Sequence, residues 1–185
     1  MLGRIGSALA LASVATLMVV GCTPEEPVES TPPPPSEGTP SAELTAREVE
    51  VEAFALAQEF VALVDEGFAT SALPIERLEQ VATQTAIDKV QAELDQFEQL
   101  GWSIEGTSTV DSPTLNRWDE AEGSAQVLAC LDTSGITTTL ASGEPAPGTQ
   151  SRQPRLFSFE YVGKELLVTD ISVVPQSTRL PGCGS

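Results

Sequence analysis

Twenty-seven carboxylates and nine basic side chains share this 185-residue chain with no histidine. Histidine is the general base of Ser-His-Asp and Cys-His sites and the nitrogen ligand of most zinc and facial-triad centres. Acid–base chemistry is therefore left to carboxylates, arginines, lysines and a single tyrosine. No G-x-x-x-x-G-K-S/T loop is present, and no G-x-G-x-x-G opens a helix, so nucleotide binding has no support. Asp119, Glu120 and Glu122 cluster, but not at EF-hand spacing. A hydrated hairpin tip is the ordinary reading there, and no metal site or cofactor is expected.

The three cysteines fall at 22, 130 and 183. Arg4 is followed by an uncharged run from Ile5 to Val20, diluted by Gly6, Ser7, Ser13 and Thr16. A charged start, a short apolar run and a small residue at a boundary make a secretory signal. The run is shorter than the ~20 residues that a spanning helix needs. Val19-Val20-Gly21-Cys22 resembles the lipobox of bacterial lipoproteins: an aliphatic residue, a permissive position, a small residue and a cysteine. The resemblance implies cleavage before Cys22 and a diacylglyceryl thioether on its sulfur. Two acyl chains suffice for stable anchoring, where one gives only marginal binding. With Cys22 assigned to lipid, Cys130 and Cys183 have a single possible pairing. Outside the cytoplasm such a disulfide persists, so we expect a Cys130–Cys183 bridge and no free thiolate.

Residues 23–40, "TPEEPVESTPPPPSEGTP", hold seven of the fourteen prolines and four glutamates. Such a segment cannot bury enough surface to offset its ordering entropy. In polyproline II it could hold a domain roughly 50 Å from its anchor, at ~3.1 Å per residue. The formal charge is −18, and removal of residues 1–21 takes away one arginine and no acid. No basic run exists, which argues against nucleic acid and against charge-driven binding to anionic headgroups. The expected organisation is a signal peptide at 1–21, the lipidated cysteine and disordered linker at 22–40, and one domain at 41–185.

Within that domain, Thr45-Ala46-Arg47-Glu48 is a capping box. Val49, Ala53, Leu56, Ala57, Phe60, Val61 and Val64 then recur at helical steps, with Gly67 at the expected end. Pro74 marks the first turn of a short helix with Ile75, Leu78 and Val81 on its inner side. A third helix opens near Thr85, carries Ile87, Val90, Leu94 and Phe97, and stops at Gly101. Thereafter the pattern is β: strands through "WSIEGTSTVDSPTLNRW", "SAQVLACLD", "ITTTL", "RLFSFEYV" and "ELLVTDISVV", with turns at "DEAEG", "ASGEPAPGTQ" and Gly163-Lys164. In the fourth of these, Arg155, Phe157, Phe159 and Tyr161 share one face. Helices followed by antiparallel strands predict an α+β fold, with N-terminal helices packed on a curved antiparallel sheet.

A long helix, two shorter ones and at least four strands resemble the NTF2-like (SnoaL-like) cone fold. "GWSIEG", "AQVLACLD" and "LLVTDISV" resemble actinobacterial lipoproteins carrying such a domain, over roughly residues 45–175. This chain departs from them in having Leu166–Leu167 where a tryptophan usually starts the final strand. The resemblance implies a cavity at the mouth of the cone, where a desolvated carboxylate can act as base. The candidates it suggests are Asp132 as base, Tyr161 as donor and Arg155 as charge partner, with Trp102 and Trp118 lining a pocket. Each has a plainer reading: Asp132 caps a turn at "DTSG", Tyr161 continues the core stripe, Arg155 lies on the surface, and the tryptophans pack in core or rim.

The leading expectation is a non-catalytic module on the outer face of the cell membrane, held by lipid on Cys22. It would bind a small apolar ligand in the cone or an envelope protein on the sheet, with a dimer as one form. The alternative is an isomerase- or dehydratase-like enzyme using Asp132. A two-lobed solute receptor needs about twice this length. Cys22→Ser should release the protein from membranes into the soluble fraction, which fractionation and intact mass will read; retention at the unprocessed mass would remove the anchor.

Overall fold

The structure, a computed structural model, describes residues 45–148, 151–175 and 180–183; the expected signal peptide, Cys22 and stalk lie outside the described residues. Thr45 opens α1 (Ala46–Thr70) with a reciprocal cap. Its Oγ1 accepts the Glu48 N–H at 3.3 Å, and Glu48 Oε2 accepts the Thr45 N–H at 2.8 Å. Val49, Ala53, Ala57, Phe60 and Val61 are buried along one face, with Leu56 and Val64 half-buried beside them. The helix does not stop at Gly67. It continues to Thr70 and closes on Ser71, whose φ is 55°. Gly67 is buried inside the helix because Leu73 folds back onto it; a Cβ there would collide with the Leu73 side chain.

After Pro74, α2 (Ile75–Leu78) is one turn. Leu78 and Val81 are buried as expected, but Ile75 is 37% exposed. So short an element inserts only its C-terminal end. The last helix, α3 (Gln84–Leu100), starts just ahead of the expected Thr85 and ends on Gly101 at φ 65°. Ile87 and Leu94 of its stripe are buried, and Val90 and Phe97 half-buried.

The strands are β1 (Ser103–Gly106), β2 (Thr109–Asp119), β3 (Ser124–Asp132), β4 (Ile136–Thr139), β5 (Arg152–Val162) and β6 (Glu165–Val173). Among the described residues, β2-β3-β5-β6 form an antiparallel sheet in that order, and β1 pairs separately with β4. The α+β class with helices packed on an antiparallel sheet is thus as expected. Phe157 and Phe159 of β5 and Val127 and Ala129 of β3 are almost wholly buried in one core with the apolar face of α1.

Both edges of the large sheet are covered. At β6, Val168 donates to the Val81 carbonyl and accepts from the Thr83 N–H, each at 2.9 Å. At β2, α1 does the covering with side chains. Glu50 Oε2 accepts the Leu115 N–H at 2.9 Å, Gln58 Nε2 donates to the Val110 carbonyl at 3.1 Å, and Asp65 accepts the Ser108 N–H just ahead of the strand. Residues 50, 58 and 65 are about two helical turns apart, so they form one polar stripe.

The C-terminal segment is fastened at the opposite end of β3. Cys130 and Cys183 form the expected disulfide, with Cα atoms 5.5 Å apart across a separation of 53 residues. Beside it, Arg152 donates from Nε to the Gly182 carbonyl, from Nη1 to Asp132 and from Nη2 to Asp111, all at 2.8–2.9 Å. One guanidinium therefore ties β2, β3 and β5 to the terminal segment. Loss of the disulfide through paired Cys130→Ser and Cys183→Ser should cost roughly 2–4 kcal/mol by the chain-entropy estimate. Urea unfolding will read it as a lower midpoint; an unchanged midpoint would show that the Arg152 contacts alone secure the segment.

Candidate functional site

A cavity of about 390 Å³ is lined by residues of α1, α3 and the large sheet, with Ile104 of β1 and Ile136 of β4. Its apolar wall comes from Phe60 and Val64 of α1, Val90 of α3, Leu131 of β3 and Ile171 of β6. Phe68, also in the wall, packs edge-on to Phe97 at 5.3 Å, and Phe97 packs edge-on to Trp102 at 5.4 Å. That ladder fixes the ends of α1 and α3 against the start of β1.

Charged and polar side chains interrupt this wall. Lys89 and Asp170 form an ion pair at 2.7 Å across α3 and β6, with Glu93 nearby on α3. Asp65 is half-buried and receives the Ser108 N–H and, at 3.1 Å, the Ser108 hydroxyl. Burial raises the Asp65 pKa above the usual carboxylate range, while both Ser108 donors oppose the shift. Arg155 enters from β5, opposite Ala129 on β3 and Val173 on β6. Its Nε is buried and has no hydrogen-bond partner among the described residues.

Of the five residues singled out from sequence, only Arg155 lines the cavity. Asp132 does not: its neighbours Leu131 and Thr133 do, while its carboxylate turns to the Ser134 N–H and to Arg152, both at 2.9 Å. Ser134, through hydroxyl and backbone, and then Arg152 hold the Asp132 pKa down at about 2. A base of raised pKa is thereby corrected to a turn cap and ion-pair partner. Tyr161 packs edge-on to Trp118 at 5.9 Å and donates its hydroxyl to Glu52 at 2.9 Å. Its pKa rises to about 12, chiefly from burial and then from Glu52; it is half-buried against the core and does not line the cavity. Trp102 belongs to the aromatic ladder outside the wall. Asp119 accepts from Arg117 and from the Glu122 N–H, while Glu120 and Glu122 are exposed at the hairpin tip.

Asp65 was the residue missed by reading from sequence. It lies four residues beyond Val61 on the buried side of α1, and an acid continuing an apolar stripe is the signal that could have found it. Arg152 was missed because three contacts from three elements meet on it only after the sheet forms.

No protein-family model matches the chain, and no curated protein sequence does. Solved structures show similarity in chain arrangement. The transfer protein TraH from the Gram-positive conjugative plasmid pIP501 is 12% identical over 70% of this chain and 97% of its own, at a TM-score of 0.46. The intermembrane space region of the chloroplast protein ARC6 is 16% identical over 72% and 98%, at 0.45. CagV, a VirB8 homolog from Helicobacter pylori, is 10% identical over 66% and 96%, at 0.43.

The Asp132 contacts have a pH signature. Its folded pKa is depressed to about 2. The stability it contributes is therefore present above the unfolded value near 3.9 and lost as pH falls through about 2. Asp132→Asn should lower the urea midpoint at pH 6 and converge on the parent protein near pH 2. A constant difference at both pH values would contradict the ion-pair role.

Proposed function

We propose that this chain is an extracytoplasmic lipoprotein, anchored through Cys22, whose domain binds a small molecule without transforming it. The single observation that carries the reading is the cavity of about 390 Å³, whose wall is mainly apolar with charged side chains set into it. That size and lining are those of small-molecule sites. The Cys130–Cys183 disulfide supports an oxidising compartment, and the sequence before Cys22 supports export to it. Catalysis by Asp132 loses its footing, because that carboxylate is engaged outside the cavity. Asp65 is the cavity acid of raised pKa, yet its lone pairs already hold Ser108 in place ahead of β2.

Native mass spectrometry on the mature protein, extracted gently from its own membrane, tests the reading. A small-molecule adduct should be present and be lost on denaturation. Val64→Trp, which puts bulk into the cavity from α1, should abolish the adduct while circular dichroism stays that of the parent. A protein-sized adduct or a dimer without small ligand would move function to the outer sheet surface.

A further inference from the structure

One cation in the cavity wall, Arg155, stands apart from the other arginines. Every other arginine among the described residues has a carboxylate: Arg47 with Glu50, Arg77 with Glu66, Arg117 with Asp119, and Arg152 with Asp111 and Asp132. Arg155 has no ion pair within 4.0 Å among the described residues, and its Nε is buried without an acceptor. Scarcity of acids is not the cause, in a chain with 27 carboxylates against nine bases. The cause is register. Arg152, three positions earlier, takes the two acids at that end of β2 and β3, whereas Ala129 and Val173 flank Arg155 with no acceptor to offer. A buried donor left unsatisfied is costly, and more so when it is charged.

We propose that the cavity ligand is an amphipathic monoanion, with one carboxylate received by the Arg155 guanidinium and an apolar body lying against Val64, Val90, Leu131 and Ile171. This inference rests on the small-ligand reading above and specifies the class of ligand. The guanidinium presents a planar fork that matches a carboxylate. At ~30 Å³ per water-sized group, the space takes on the order of a dozen non-hydrogen atoms, which is the size of a medium-chain fatty acid. Asp65 and Glu93 in the same wall disfavour a ligand with further negative charge, such as a phosphate dianion or a nucleotide, while Lys89 and Asp170 offset one another as an ion pair.

The test uses the full mature chain carrying Cys22→Ser, so that no membrane or detergent competes for the probe. Isothermal titration calorimetry at pH 7 compares decanoate with decan-1-ol, which differ at the head group alone. Decanoate should bind at least tenfold more tightly than decanol. Arg155→Gln, checked for its fold by circular dichroism, should remove that preference by weakening decanoate and leaving decanol unchanged. Equal binding of acid and alcohol to the parent protein would overturn the anion inference and keep the cavity; this comparison needs no variant that folds. An unchanged decanoate affinity in Arg155→Gln would overturn the role of Arg155. Binding of neither compound would overturn the small-ligand reading together with this one.

Discussion

An edge strand exposes backbone groups that must find partners, and in this domain α1 supplies them along β2. Glu50, Gln58 and Asp65 each engage a main-chain atom in β2 or immediately before it. Those contacts fix the height and direction of α1 over the sheet. The apolar stripe of α1 then falls on Phe157, Phe159 and Val127, and the core closes. Near its C-terminus the same helix is held by Asp65 to Ser108. The cavity opens beside that contact, with Asp65 and Ser108 in its wall. Asp65 therefore belongs to the scaffold before it belongs to any ligand.

Two arginines three positions apart on β5 divide the remaining electrostatic work. Arg152 saturates its guanidinium with Asp111, Asp132 and the Gly182 carbonyl, next to the Cys130–Cys183 disulfide. It is a structural charge, and an uneven number of strand positions separates it from Arg155, so the two side chains leave opposite faces. Arg155 shares the inward face with Phe157 and Phe159, both buried. The alternation that fills the core therefore also delivers one cation into the cavity.

Much of this architecture was legible in the sequence because it rests on local signals. The Thr45 capping box, the α1 stripe, Gly101 and the alternation through Phe157 and Phe159 depend on residues close in the chain. What failed was local evidence overruled by distant contacts. Gly67 reads as a helix end, but it is needed for the approach of Leu73. Asp132 reads equally as a base or a cap, and only the register of β3 with β5 places Arg152 against it. Pairing of β1 with β4 across Ile104 and Thr138 left no composition signal either. Of the site, Arg155 was visible from its strand period; Asp65 was hidden because an acid on a long acidic helix looks solvated.

The acidity of the whole chain bears on how such a site can operate. A formal charge of −18 creates a field that repels anions at long range, but it is screened over ~8–10 Å at physiological ionic strength. Inside the cavity the lower dielectric makes the nearest charge dominate, and beside Ala129 and Val173 that charge is Arg155. The surface therefore slows the approach of an anion, while the site retains one that has entered. A polyanion would meet both the surface field and the carboxylates of Asp65 and Glu93, whereas a monoanion with an apolar tail exchanges its hydration for a guanidinium and the apolar part of the wall. Selection for a single negative charge follows from that imbalance, with no need for a second specific contact.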